Sequence, residues 1–193
     1  MVTGPKVGVL ALQGAFREHI EILQSLGAHA VGVRQPGDLV GIDALVLPGG
    51  ESTTMSMLLD SSDLSGPLGE LIGSGAPVLA TCAGLILLAR TVEAGRPDQR
   101  GLGVLDADVV RNGYGRQIAS FEVPVQVAGM DGGPFPAVFI RAPVVRSTGA
   151  GVEVLATVAD QAVLIRQGPV LASTFHPELS GDLRLHQMFV GGA

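Results

Sequence analysis

The chain of 193 residues contains a single cysteine, Cys82. One thiol allows no internal disulfide and leaves no cysteine cluster of the kind that holds structural zinc. No apolar run approaches the roughly 18 to 20 residues that a membrane-spanning helix needs. Basic residues are also scarce: 12 lysines and arginines stand against 18 aspartates and glutamates, a formal net charge of -6, and they are scattered instead of forming a stripe. The electrostatic footprint of a nucleic-acid binder is therefore missing, and neither nucleic acid nor an anionic membrane is expected as a partner. No two of the four histidines have metal-ligand spacing, so no metal site is expected.

What is present is apolar: 47% of the residues are hydrophobic, too many for a disordered chain. The length suits one domain over residues 1–193. The start, MVTGPKVGVLALQG, has no long apolar stretch followed by a small-residue cleavage site, so it reads as a first strand and a cytoplasmic location is expected. KVGVLAL, then AFREHIEILQSLGA with apolar residues at Phe16, Ile20, Leu23 and Leu26, then HAVGVR predict a strand, an amphipathic helix ending at Gly27, and a second strand. DALVLP leads into GGEST and a helix from Thr53, and PVLAT leads through Cys82 into a helical GLILLAR. Such apolar strand runs suggest a parallel sheet covered on both faces. The second half is a series of short β-rich runs between Gly and Pro turns, where antiparallel pairing is expected, before a C-terminal helix from about Asp182 to Val190. Ser61 to Gly69 and Ala94 to Gly101 read as surface loops.

Cys82 lies between a predicted strand and a predicted helix. There the unpaired N–H groups of the helix start favour a thiolate, and the N–H of Ala83 could serve as an oxyanion donor. Taken alone, the stretch fits a buried structural thiol equally well. In STFHPEL, His176 and Glu178 stand two positions apart, so at the end of a strand both side chains can point the same way. A carboxylate beside an imidazole fixes its tautomer, and that imidazole can activate a thiol; a surface turn is the alternative. LPGGESTT is a glycine-bearing turn opening a helix, suited to hold an anion or simply to cap the helix with Ser52 or Thr53. It lacks the lysine of a phosphate-binding loop. His19, beside Arg17 and Glu18, reads as a solvated or partner-facing surface residue, and His29 and His186 carry no pairing signal. Arg111 and Arg141 sit at strand ends, where they could bind a substrate carboxylate or make surface salt bridges.

Six segments in order, GVLALQGAFREH, LPGGESTT, TCAGLILLA, RNGYGRQIASFE, FIRAP and TFHPEL, resemble the class I, triad-type glutamine amidotransferases over nearly the whole chain. The resemblance is strongest to the glutaminase branch that serves pyridoxal 5'-phosphate synthesis. Ile86 stands where other class I members usually carry a glutamine, which agrees with that branch. The resemblance implies an α/β, flavodoxin-like three-layer domain with a mostly parallel central sheet and additional antiparallel strands. It implies Cys82 as nucleophile, His176 as general base and then acid, and Glu178 as the residue that orients His176. Gly50, Glu51, Ser52, Arg111, Ile140 and Arg141 would contact L-glutamine, and main-chain N–H groups of Gly49, Gly50 and Ala83 would form the oxyanion hole. No metal or organic cofactor is implied. The implied partner is a (β/α)8-barrel synthase subunit, in a large hetero-oligomer, that receives the ammonia; docking would turn the Gly49–Gly50 peptide to complete the oxyanion hole. Competing readings are a glutaminase subunit for another ammonia-requiring pathway, a related elbow-cysteine hydrolase or chaperone, and a non-catalytic regulatory module on the same fold. The last predicts loss of a triad residue, and all three are present.

Overall fold

The computed structural model describes residues 4–95, 101–111, 113 and 120–193. Its core is built on strands that are apolar on both faces. β1 (Lys6–Leu10), α1 (Phe16–Ser25) and β2 (His29–Val33) form the first βαβ unit. β3 (Ala44–Leu47) follows, then α2 (Ser52–Ser61), α3 (Ser65–Gly73), β4 (Val78–Thr81) and the short α4 (Ala83–Leu88). α4 passes directly into β5 (Ala89–Glu93), and the β-rich half continues with β6 (Leu105–Val110), β7 (Ser120–Val125), β8 (Phe135–Ile140), β9 (Val144–Thr148), β10 (Glu153–Val158), β11 (Gln161–Gln167) and β12 (Val170–Ser173). α5 (Arg184–Val190) is the last element.

Seven strands form the main sheet in the order β10-β11-β12-β4-β3-β1-β2. β12, β4, β3, β1 and β2 run parallel, while β11 and β10 are added antiparallel at one edge. Every residue of β3, β4 and β12 is buried, as a sheet covered on both faces requires. Successive side chains divide between two cores. Leu45, Leu47, Val78 and Ala80 join the core that includes residues of α2, α3 and α4. Ala44, Val46 and Leu79 face the core beneath α1, α5 and the β7–β8 hairpin. In that second layer Phe135, Phe139 and Phe175 are fully buried, with ring centroids 5.6 to 5.8 Å apart along the contacts of Phe175. The cluster ties β8 to the segment just before His176.

Some expectations are corrected. Ser61 to Gly69 is not all surface loop: from Ser65 it is the first half of α3, and Leu64 and Leu68 are buried. Pro67 lies in the first turn, where its missing N–H has no helical partner to lose. The helix after Cys82 ends at Leu88, and Ala89–Glu93 pairs in parallel with β6. The small sheet β5-β6-β9 includes two strands, β5 and β9, that the sequence pattern did not set apart. Most of the Ala94 to Gly101 segment lies outside the described residues. No helix among the described residues is long and apolar enough to cross a membrane.

Candidate active site

Loops leaving the carboxyl ends of neighbouring parallel strands meet in one place, the usual position of sites in open α/β sheets. β1 leads to Gln13, β3 to Gly49–Glu51, β4 to Cys82, and β12 to His176. The turn at Cys82 is sharp. Its backbone is held at φ 48 and ψ -100, a left-handed conformation that costs a non-glycine residue on the order of 1–3 kcal/mol. The Cys82 N–H donates to Ser173 O at 2.9 Å, which ties the elbow to the end of β12. Gly84 lets α4 start against β3: a Cβ there would lie 2.0 Å from Leu47 O. The thiol is presented at the start of the helix, 4.0 Å from Ile140 O and almost buried.

His176 follows β12 and is anchored by its N–H, which donates to Val138 O of β8 at 2.8 Å. Its Nδ1 lies 2.7 Å from Glu178 Oε1. The expected geometry is corrected here, since the strand ends at Ser173 and Glu178 sits in a 3-10 turn, Pro177–Leu179, that swings the carboxylate back under the ring. Gly49 lies against the imidazole; a Cβ would sit 2.3 Å from His176 Cε1. Burial works against a charged His176, but hydrogen bonding with the Cys82 and Glu178 side chains and their negative charges outweigh it and raise its pKa to about 10. Burial likewise opposes the Glu178 carboxylate, but the hydrogen bond with His176 and the nearby His19 prevail and bring it down to about 2. The arrangement therefore favours a protonated His176 imidazolium between the Cys82 sulfur and the Glu178 carboxylate, the setting in which an imidazole can serve a cysteine nucleophile.

A cleft of about 190 Å³ opens over the sulfur, lined by Gln13, Gly50, Glu51, Ser52, Cys82, Ile86, Arg111, Ile140, Arg141 and His176. Glu51 caps α2, accepting from Thr53 N at 3.2 Å and Thr54 N at 2.8 Å, and pairs with Arg111 Nη2. Arg111 Nη1 also donates to Thr53 Oγ1 at 2.7 Å. Burial would raise the Glu51 pKa, but the Thr54 and Thr53 donors and Arg111 hold it below the usual carboxylate range. Ser52 Oγ is buried and has no hydrogen-bond partner among the described residues. Arg141 is the second non-glycine residue of the site in the left-handed region, at φ 44. The Gly49 carbonyl accepts from Ala15 N–H at 3.2 Å, and Gly14, at φ 90, leaves room for it.

All six expected glutamine-contacting residues thus line the cleft with Cys82 and His176, while Glu178 stands behind His176 and Gly49 against its ring. Ala83 follows Cys82 at the start of α4. Asn112 and residues 114–119 of the RNGYGRQIASFE segment lie outside the described residues. Four residues went without a role in the sequence reading. Gln13 Oε1 accepts from Glu51 N at 2.7 Å, and Ile86 lines the cleft. His19 is fully buried, 3.3 Å from Glu178 Oε2, so its reading as a surface residue is overturned. His186 is buried as well, with Nε2 2.9 Å from His19 Nδ1. His19 could have been found: it stands three residues after Phe16 and four before Leu23, on the inward stripe of α1. Among the described residues no group of His, Cys, Asp and Glu side chains could hold a metal ion.

Residues 9–192 match the SNO glutamine amidotransferase family. The chain is 54% identical over 189 residues to the pyridoxal 5'-phosphate synthase subunit PdxT of Parafrankia sp. (strain EAN1pec), covering 98% of this chain and 93% of that protein. It is also 54% identical over 188 residues to the protein of the same name from Deinococcus radiodurans, covering 96% and 95%. Among solved structures, one described as a glutamine amidotransferase superposes with a TM-score of 0.90 at 51% identity, over 96% of this chain and 97% of that one.

Proposed function

The chain belongs to the SNO glutamine amidotransferase family, and from that membership we propose that it hydrolyses L-glutamine to L-glutamate and ammonia and delivers the ammonia to the synthase subunit of a pyridoxal 5'-phosphate synthase, in the pathway to vitamin B6. The observation that carries the chemistry is the strained elbow of Cys82 beside the His176–Glu178 pair in a cleft lined by charged side chains. Glutamine enters with its amide over Cys82 and its α-amino and α-carboxylate groups toward Glu51, Ser52, Arg111 and Arg141. Ser52 Oγ, without a partner among the described residues, and the Glu51–Arg111 pair supply polar groups for that purpose.

The Cys82 thiolate attacks the amide carbon, forming a C–S bond, while the carbonyl oxygen becomes an oxyanion. Backbone N–H groups of Gly50 and Ala83 stabilise that charge in a site with little water. His176, protonated at Nε2, gives its proton to the departing nitrogen as the C–N bond breaks, so ammonia leaves and a γ-glutamyl thioester remains. The now neutral His176 takes a proton from water, which attacks the thioester and releases glutamate. Throughout, Glu178 keeps the Nδ1–H of His176 turned toward itself.

Ammonia released into water near neutral pH becomes ammonium and ceases to be a nucleophile, which favours direct transfer to a partner. That partner is a (β/α)8-barrel synthase subunit, and the two assemble into a large hetero-oligomer in the cytoplasm. Docking also completes the oxyanion hole. The Gly49 carbonyl is held by one 3.2 Å hydrogen bond from Ala15, and a trans peptide keeps the Gly50 N–H on the opposite side. With glycines at 14, 49 and 50, that peptide can turn without a Cβ in its way. Glutamate release is measured with and without the synthase subunit, for the wild-type chain and Cys82→Ala. The proposal expects release that rises on adding the partner and vanishes in Cys82→Ala; equal rates with and without the partner refute the docking switch, and release by Cys82→Ala refutes the nucleophile.

A further inference from the structure

Glu178 has two carboxylate oxygens, and the triad uses one of them. Oε1 receives His176 Nδ1 at 2.7 Å. Oε2 is buried, has no well-aligned hydrogen bond, and faces His19 Nε2 at 3.3 Å, with neither side chain exposed at all. Behind His19 stands a second imidazole. His19 Nδ1 is 2.9 Å from His186 Nε2, and the two rings are 5.1 Å apart and tilted by 49°. Thr81 Oγ1, one residue before Cys82, lies 3.4 Å from His19 Nε2. Elements α1, β4 and α5 thus send polar groups to a point directly behind the His176–Glu178 pair, remote in sequence from one another.

The proton positions follow from charge. A bare Nε2 lone pair on His19 would point at a carboxylate, so Nε2 carries the proton and is shared between Glu178 Oε2 and Thr81 Oγ1. In the neutral ring Nδ1 is then bare and accepts Nε2–H of His186. That leaves His186 Nδ1 as a bare nitrogen, and this atom is buried without a partner among the described residues. Packing alone gives no reason for such a cost, because an apolar side chain would fill the space without stranding a polar atom.

We propose that His19 is a positioning residue for the amide hydrolysis: its Nε2–H holds Glu178 Oε2 so that Oε1 stays aimed at His176, and His186 fixes His19 in the tautomer that can do so. The role rests on reading Cys82, His176 and Glu178 as the hydrolytic triad. His19 itself never meets the substrate; it acts through Glu178. The polar groups that face it are Glu178 from the turn after β12, Thr81 from β4 and His186 from α5. Removing its N–H leaves one buried carboxylate oxygen with no donor, so Glu178 takes up a proton at higher pH and loses its hold on the imidazole.

The test uses the full chain with its synthase subunit, comparing His19→Leu, His19→Asn and His19→Gln with wild type. In His19→Leu, kcat for glutamine falls about 10- to 100-fold, the range that orienting partners of a functional histidine command, while KM stays within about twofold and the acid limb of kcat/KM moves to higher pH. The glutamine side chain places its amide N–H where the imidazole Nε2–H was, so His19→Gln recovers most of the rate and the wild-type acid limb; the shorter asparagine does not. A second readout needs no turnover: the pH dependence of Cys82 alkylation by iodoacetamide in the full chain, whose acid limb shifts upward in His19→Leu and His19→Asn but not in His19→Gln. If the wild-type complex releases no glutamate yet this alkylation shift is present, the functional reading fails and the positioning role stands. A folded His19→Leu or His19→Asn with wild-type kcat and alkylation profile overturns the proposal. So does an equal loss of rate and of thermal stability in all three variants, which is the signature of packing alone.

Discussion

Gly84 stands two residues after Cys82, and a methyl group added to it would lie 2.0 Å from Leu47 O and 2.8 Å from the Leu47 carbonyl carbon. Both obstacles are backbone atoms of β3, a strand with every residue buried, so no flexible side-chain end can give way. To restore even a tight contact, the start of α4 must back away from β3 by about 1 Å, the displacement that a buried overpacked site imposes on its surroundings. The strain costs about 1–3 kcal/mol, which for a chain of this size lowers Tm by about 2–12 °C. The larger effect is on rate. Cys82 is the residue at the head of α4 and moves with it, and a displacement of about 1 Å at a reacting group can cost about 10²-fold in turnover. The assay pairs thermal unfolding of Gly84→Ala with glutamate release in the presence of the synthase subunit. Gly69→Ala is the control, since nothing lies within 4 Å of a Cβ at that helical position and alanine there is neutral or slightly stabilising. A Gly84→Ala variant with wild-type Tm and a rate within about twofold of wild type refutes the idea that this backbone approach sets the position of the thiol.

Two more expectations concern charge. Burial pushes the His186 pKa down to about 3, whereas the unfolded chain takes up that proton near pH 6.5. The depressed folded value means that stability falls as pH drops below about 6.5, whereas the loss from Glu178, whose folded pKa is about 2, begins only below about 4.5. Between pH 6.5 and 4.5 the wild type therefore loses about 2 kcal/mol more than His186→Phe; denaturant unfolding at both pH values checks this, and equal slopes in the two chains contradict it. Arg111→Ala removes a charged partner from Glu51 and from the glutamine end of the cleft, and is expected to raise KM for glutamine about 10-fold or more with little change in kcat, as loss of a charged hydrogen bond worth about 1.5–3 kcal/mol implies. An unchanged KM in steady-state kinetics would place the substrate carboxylate elsewhere.

The parallel half of the fold was legible because its strands are apolar without interruption, and the turns that follow them carry the residues with chemical potential: Gly49 to Ser52, Cys82, and His176 with Glu178. Six strands of the β-rich half were legible, β5 and β9 were not, and none was legible as part of a particular sheet, since pairing between β6 and β9 or β4 and β12 joins segments that no local pattern links. α3 was hidden by serine, glycine and proline, residues common in loops and here accommodated by the first turn of a helix whose buried face includes Leu68, next to the buried Leu64. The pairing of His176 with Glu178 was anticipated for a different reason from the one that produces it, a 3-10 turn instead of a strand period of two. His186 shows the limit most clearly. It looks like any polar residue beside Leu185 and Phe189, and its meaning depends on His19, 167 positions away.

The central claim is that Cys82 forms a covalent bond to the γ-carbonyl carbon of glutamine. The most direct measurement is acid quenching of the chain turning over glutamine with its synthase subunit, followed by mass spectrometry of the peptides. The account predicts a γ-glutamyl adduct on the peptide containing Cys82, absent without glutamine and absent in Cys82→Ala, which also releases no glutamate. Glutamate release at the wild-type rate by Cys82→Ala, or an adduct on another residue, would contradict it.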